Sequence, residues 1–353
     1  MTAATTAAVR MASLKAWQLG YWAFLTGTAS AGTKAELAAV LTSRMNEHAR
    51  KKKSSKPTRI VSVDMGIRNL AFCALESRPS IPSASGKGER MRPMTVTTWK
   101  RMDLLDINDN GPAPSNIEQE EPTKSKKFKK SKKSTIAKDA FTPSSLSRTA
   151  YIVTRELLSL QPTTLLIERQ RFRSGGAAAI QEWTVRVNML ESMLWACLET
   201  LRAQDLAGEF PEVHAVNPAR VAKFWDEGSR GYALRPPVDL FSPTAVNPGA
   251  GAVEKEAKGR RGGVDKKAKV ALVKAWVRGE SEDVQLRFEG QAEEIAEAFR
   301  VEKGGKGVAG GKLDDLADCL LQGVAWGRWE ENWEVLRRLW REEVKEGNTK
   351  KGG

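Results

Sequence analysis

The stretch RIVSVDMGIRNLAFCALE, residues 59–76, limits the fold more than any other part of the chain. Two apolar runs of strand length flank the turn Met65-Gly66-Ile67-Arg68-Asn69, which predicts two adjacent strands joined by a tight turn. The first run ends on a carboxylate, Asp64. A charge at the end of a buried strand is costly unless it caps a turn, pairs with a cation or binds a metal. VTTWKRMDLLDI supplies a third strand, TTLLIE (163–168) a short buried one, and EVHAVNP (212–218) another that Pro218 stops. Between and after them, SLSRTAYIVTRELLSL, residues 178–201, DKKAKVALVKAWV and LDDLADCLLQGVAWGRW carry apolar residues at helical spacing. That order gives an α/β fold: a mixed five-stranded sheet, opening with a three-stranded meander and flanked by helices.

The charge balance, 57 Lys+Arg against 43 Asp+Glu, favours a polyanionic partner. No run of about 18 apolar residues is present, so no membrane span is expected. Cys73, Cys197 and Cys319 lie far apart in apolar runs and read as reduced core residues. His48 and His214 are the only histidines, too few for a histidine-based triad or a His-rich zinc site. Chemistry in this chain therefore falls to carboxylates.

No acid precedes Glu36, and the Ala/Thr-rich start with Arg10 suits a mitochondrial targeting segment over residues 1–12. Residues 13–48 contain Thr33-x-x-Glu36, a capping box that opens a helix carrying Leu37, Val40, Leu41 and Met45 on one face. This pair of helices resembles the SAP motif, a small helical DNA-binding module, with Lys34 at the head of its second helix. The simpler reading is a helical hairpin docked on the main domain. Residues 49–58 read as a basic linker, and two insertions low in apolar content (near 108–144 and 227–263) and a tail (346–353) are expected to be disordered. The main domain then spans 59–345.

Three places set an acid against an apolar run: Asp64, Glu168 and the group Asp314, Asp315 and Asp318. On a helix Asp314 and Asp318 are i,i+4 neighbours, and Asp315 and Asp318 are i,i+3 neighbours, so at least one pair shares a face. Each acid alone has an ordinary explanation: a turn cap for Asp64, an ion pair with Arg169 or Arg171 for Glu168, a helix cap for Asp314 or Asp315. Asp318 lies a turn inside an apolar helix and resists that reading. Taken together, the placements fit a site for a hard cation with oxygen ligands, Mg2+ or Mn2+. Two such ions about 3.5–4 Å apart activate a water and stabilise the leaving oxygen of a phosphodiester.

DMGIRNLAF, IERQRFRSG followed by a long helix, and KLDDLADCLLQG resemble the RuvC-like fungal mitochondrial Holliday-junction resolvases of the RNase H-like superfamily. The resemblance covers about 59–80 and 145–330. It implies a homodimer that cuts four-way DNA junctions with a divalent metal, using Asp64, Glu168, Asp314 and Asp318, with Asp315 an ambiguous neighbour. No small-molecule substrate is implied.

The expected DNA contacts are Arg171 and Arg173 just past Glu168, and Lys266, Lys267, Lys269 and Lys274 on one helix. A solvated lysine face is the plainer alternative. For pairing of two subunits the long helix is favoured, since Trp183, Met189, Met193 and Trp195 lie off its Val187, Leu190 and Leu194 stripe. Burial of that helix between the sheet and the C-terminal tryptophans would also account for them. Two other functions stay open. An actin/sugar-kinase-like ATPase would need phosphate loops, for which GGKGVAGGK is the best match. A non-catalytic nucleoid protein would leave four placed acids without a reason.

Overall fold

The computed structural model describes residues 11–50, 57–77, 92–105, 141–170, 182–205, 208–229, 231–247, 266–301 and 313–349, with side chains to 342. The elements in chain order are α1 (Ala16–Leu25), α2 (Lys34–Arg50), β1 (Thr58–Asp64), β2 (Leu70–Ser77), β3 (Met94–Met102), α3 (Pro143–Ser159), β4 (Thr164–Glu168), α4 (Glu182–Gln204), β5 (Glu212–Val216), α5 (Pro218–Ser229), α6 (Lys266–Val277), β6 (Leu286–Phe288), α7 (Gln291–Arg300) and α8 (Asp314–Thr349).

The strands form one sheet in the order β5-β4-β1-β2-β3-β6. β2 is antiparallel to both of its neighbours; β4 is parallel to β1, β5 to β4 and β6 to β3. This is an RNase H-like sheet with one strand more than the sequence predicts. β6 has three residues, too few for a periodic signal. It pairs with the outer edge of β3 through Met94↔Leu286, Thr95↔Arg287 and Val96↔Phe288.

Alternation along the strands divides the core into two layers. Val61, Val63, Phe72, Ala74, Leu165 and Ile167 pack against α3 and α4, whose Val153, Leu157, Val187, Leu190, Leu194 and Leu198 are buried. The other face carries Ile60, Ala71, Cys73, Leu75, Val96, Trp99 and Leu166, and meets α8. Two glycines allow that meeting. A Cβ on Gly323 would lie 3.1 Å from the Ser62 Cβ and would collide with Leu75; one on Gly327 would collide with Met94. Without side chains there, the helix backbone rests on the sheet, and Gln322 donates to Ser62 Oγ (3.0 Å) and to the Val63 carbonyl (3.2 Å).

The helical pair expected over 13–48 shares this same core. Trp22 packs against Phe241, Trp333 and Trp340, and Asn332 on α8 donates to the carbonyls of Leu25 (2.8 Å) and Leu234 (2.9 Å). The Thr33–Glu36 capping box forms as the spacing predicts, with Thr33 N donating to Glu36 Oε2 at 2.7 Å and Glu36 N to Thr33 Oγ1 at 3.3 Å. Met11, inside the expected targeting segment, is fully buried, while residues 1–10 lie outside the described residues.

One expectation needs correction. Residues 227–229 end α5, and 231–247 pack as an ordered loop with Leu234, Leu240, Phe241 and Ala245 buried. Their apolar groups are spaced irregularly among prolines and polar residues, so no periodicity announces them. Gln18 Nε2 fastens the loop by donating to the Leu240 carbonyl at 2.7 Å. The rest of that insertion, residues 108–140, most of the linker and 350–353 lie outside the described residues, while 346–349, expected in a disordered tail, continue α8.

Replacing Gly323 with valine should lower stability by about 1–3 kcal/mol through overpacking. A urea melt of the variant would show it, and an unchanged midpoint would contradict the close approach.

Candidate active site

β1 and β4 run parallel and in register through Val63↔Ile167. The next pair is Asp64 and Glu168. Alternation places Asp64 on the same face as Ile60 and Ser62, and Glu168 on the same face as Leu166, which is the face covered by α8. The strand ends therefore aim two carboxylates beneath the first turns of α8. α8 is held there by Trp99 Nε1 donating to the Leu316 carbonyl (3.0 Å) and by the Cys73 thiol on the Cys319 carbonyl (3.4 Å). Asp314 and Asp315 occupy its first turn, where the helix dipole favours negative charge. Asp318 follows one turn inside.

The electrostatics report crowding. Burial, then the charge of Glu168 and a side-chain hydrogen bond with it, then Asp318 and Asp315, push the Asp64 carboxyl well above the usual carboxylate range. A hydrogen bond between two carboxyls needs a proton on one of them. Burial also raises Asp318, opposed by the Lys269 ammonium. The Oδ2 of Asp315 is buried and makes no hydrogen bond among the described residues.

Two of the lysines expected to face DNA lie against these acids. Lys269 Nζ is 2.8 Å from Asp318 Oδ1, and Lys266 Nζ is 2.6 Å from Asp314 Oδ2. Among the described residues no three acids, histidines or cysteines converge tightly enough to form a ready cage. Asp64 and Glu168 meet each other, while Asp314 and Asp318 turn to α6. Lys267 is exposed, Lys274 half-buried, and Lys34 exposed at the start of α2. Arg171 and Arg173 lie outside the described residues.

A pocket of ≈ 50 Å³ opens beside the acids, lined by Glu168, Asp318, Lys269, Gln322, Trp225 and Pro218 among others. That is room for a few waters or a hydrated ion. The sequence reading missed three residues here. Gln322 ties α8 to β1. Trp225 donates to the Leu321 carbonyl at 3.0 Å and walls the pocket. Glu191 on α4 accepts from the Gln170 amide at 3.2 Å, which steadies the chain just after Glu168. Only the capping of a loop by a helix 21 residues away could have revealed it, and spacing does not encode that. Neither histidine lines this pocket; His48 stacks on Trp333 and His214 on Trp326.

The donor set suits a divalent cation. All the candidate ligands are carboxylate oxygens, and crowding raises the energy of the metal-free site. The chain's sheet order is that of an RNase H-like fold. The family model described as "Mitochondrial resolvase Ydc2 / RNA splicing MRS1", catalytic domain, matches residues 60–336, and the chain belongs to that family. The mitochondrial cruciform cutting endonuclease 1 of Schizosaccharomyces pombe is 28% identical over 187 residues, 52% of this chain and 57% of that relative. The chain thus aligns with little more than half the length of the relative. The crystal structure of the yeast mitochondrial Holliday junction resolvase Ydc2 superposes with a TM-score of 0.55 at 23% identity, covering 93% of this chain and 98% of that one. The likeness supports the fold.

Asp64→Asn should stabilise the metal-free protein, raising Tm by about 2–4 °C. Its folded-state pKa stands above the unfolded value, so it costs stability as pH rises through that interval, and the gain from Asn should vanish near pH 4. Thermal melts of both proteins at pH 4 and pH 7.5 in EDTA check this. A lower Tm for the variant at pH 7.5 would refute the crowding.

Proposed function

We propose that this protein is a structure-selective endonuclease of mitochondria that resolves four-way DNA junctions by paired, metal-dependent phosphodiester hydrolysis. The observation that carries the reading is the meeting of Asp64 and Glu168 at two parallel strand ends, with Asp318 and Asp315 of α8 close enough for their charges to act on Asp64. Family membership narrows the reaction, because the family description joins resolvases with an RNA splicing protein. The acid cluster favours cleavage, since a purely RNA-binding protein would gain nothing from crowded carboxylates. The relatives' names support the junction substrate and the mitochondrial setting.

Mg2+, probed also with Mn2+, is the proposed cofactor, two ions per site. When bound, it supplies an activated water and a Lewis acid at the leaving oxygen. The protein's own work is positioning. Asp64 at the rigid end of β1, Glu168 at the end of β4 and Asp318 on α8 would hold the ions. Asp314 stands at the rim. Asp315 is the alternative ligand to Asp314. Trp225, Pro218 and Leu321 keep one side of the cleft dry, which strengthens each charge interaction inside. Lys267, Lys274, Arg171, Arg173 and Lys34 are proposed to track phosphates.

Paired cuts call for two copies of the cluster, and a two-fold homodimer matches the junction's own pseudo-symmetry. On α4 the Val187, Leu190 and Leu194 stripe faces the sheet, and Met193 and Trp195 pack partly against the same core. Trp183 and Val185, both exposed near the start of α4, and the half-buried Met189 are apolar groups open to a partner.

With magnesium, the protein should cut a four-way junction far faster than the matching linear duplex. Glu168→Gln and Asp318→Asn should bind the junction but lose at least about 100-fold in rate. Equal cutting of both DNAs, or retained cutting in the variants, would overturn the reading. Junction affinity should fall steeply with salt through counterion release. Sedimentation of the DNA-free protein should give a dimer that Trp183→Glu converts to monomer; a monomer in the unmodified protein, free and junction-bound, would exclude the paired mechanism.

A further inference from the structure

α6 presents its lysines to the acids from a fixed base. Val273, Trp276 and Val277 bury its far end, and Trp276 packs edge-on against Trp225 at 4.7 Å. Lys269 leaves this helix half-buried, with 25% of its side chain exposed, and meets an Asp318 that is 27% exposed. It lines the same pocket as Glu168 and Asp318. Lys266, one turn earlier, pairs with Asp314 at the mouth with 81% of its side chain exposed. An ion pair of the exposed kind contributes little to stability. The inner pair sits among further carboxylates, where an ammonium offsets repulsion that water screens poorly. A divalent ion held by Asp318 would meet the Lys269 ammonium at close range, and the two positive charges repel where water screens poorly.

We propose that Lys269, assisted by Lys266, is the resident counter-ion of the acid cluster, displaced by the divalent cation and thereby released to a phosphate of the bound DNA. This rests on the metal-dependent reading above and adds a coupling to it. Each lysine has a four-carbon stem that carries its charge several ångströms without moving the helix. Before the exchange the ammonium neutralises Asp318. After it, the cation neutralises Asp318 and the ammonium faces the backbone of the nucleic acid. Metal and DNA then help each other to bind, and by linkage the two factors are equal.

The test is titration of Mg2+ into the full chain without DNA, by calorimetry, for the natural protein, Lys269→Met, Lys269→Arg and Lys266→Met. Lys269→Met should bind Mg2+ about five-fold more tightly, because nothing competes for Asp318. Lys266→Met should change affinity in the same direction by less, and its exposure makes a folding defect improbable as a cause of any other result. Lys269→Arg should stay near the natural value. In rapid-mixing anisotropy, read before the first cut, Mg2+ should tighten junction binding by the natural protein, and Lys269→Met should lose most of that gain. Unchanged or weaker Mg2+ binding in both Met variants would overturn the proposal while leaving the metal site standing. If the natural protein takes up no Mg2+ at all, the metal-dependent reading falls, and the exchange falls with it.

Discussion

The contact between α8 and the sheet governs the rest of the structure. Gly323 and Gly327 let the helix backbone come down on β1, β2 and β3, and Gln322 fixes its position along them through Ser62 and Val63. The helix must enter at the carboxyl ends of β1 and β4, because only there does its first turn overhang the sheet. A side chain at either glycine would lift or slide the helix. A slide of one residue would turn Asp318 about 100° away from the strand ends. Packing between apolar groups thus decides where the charges meet.

Those charges oppose the fold that brings them together. Burial and the neighbouring Glu168 push the Asp64 carboxyl well above the usual range, and burial raises Asp318 as well. The expense is met by a large apolar layer beneath, from Leu316, Cys319, Leu320 and Val324 to Trp99 and Phe299, the latter two stacked at 4.8 Å. A site that is uncomfortable when metal-free is also one that gains most from a cation. The lysines of α6 offset part of the repulsion in the meantime.

Much of this could be read from the chain. Strand-end acids stand out because an apolar run has no local use for a charge, so Asp64 and Glu168 were identifiable from the run lengths alone. Asp318 was identifiable because it interrupts an apolar helical face. The meander and the membership of the two later strands in a mixed sheet followed from alternation and order. The lysine pairings were not legible. Lys269 and Asp318 belong to different helices, and only the tertiary packing of Trp276 on Trp225 sets the helices side by side. β6 was invisible because three residues carry no period. The buried loop 231–247 was missed because Leu234, Leu240 and Phe241 follow no regular spacing, and its prolines read as linker.

The N-terminal helices show why a motif and its placement are separate questions. Local chemistry wrote the Thr33–Glu36 cap, and it forms as written. Nothing local says that Trp22 must enter a cage of Phe241, Trp333 and Trp340, or that Arg337 must donate to the His48 carbonyl at 2.9 Å. Those contacts fasten α1 and α2 to the later turns of α8, the same helix whose first turn carries Asp314, Asp315 and Asp318. A flexible tether would let α1 and α2 move independently of the acid cluster. A shared core removes that freedom and fixes the distance between Lys34 and the acids. Any DNA that touches both must therefore have its backbone at one spacing, a constraint of shape that no base contact is needed to impose.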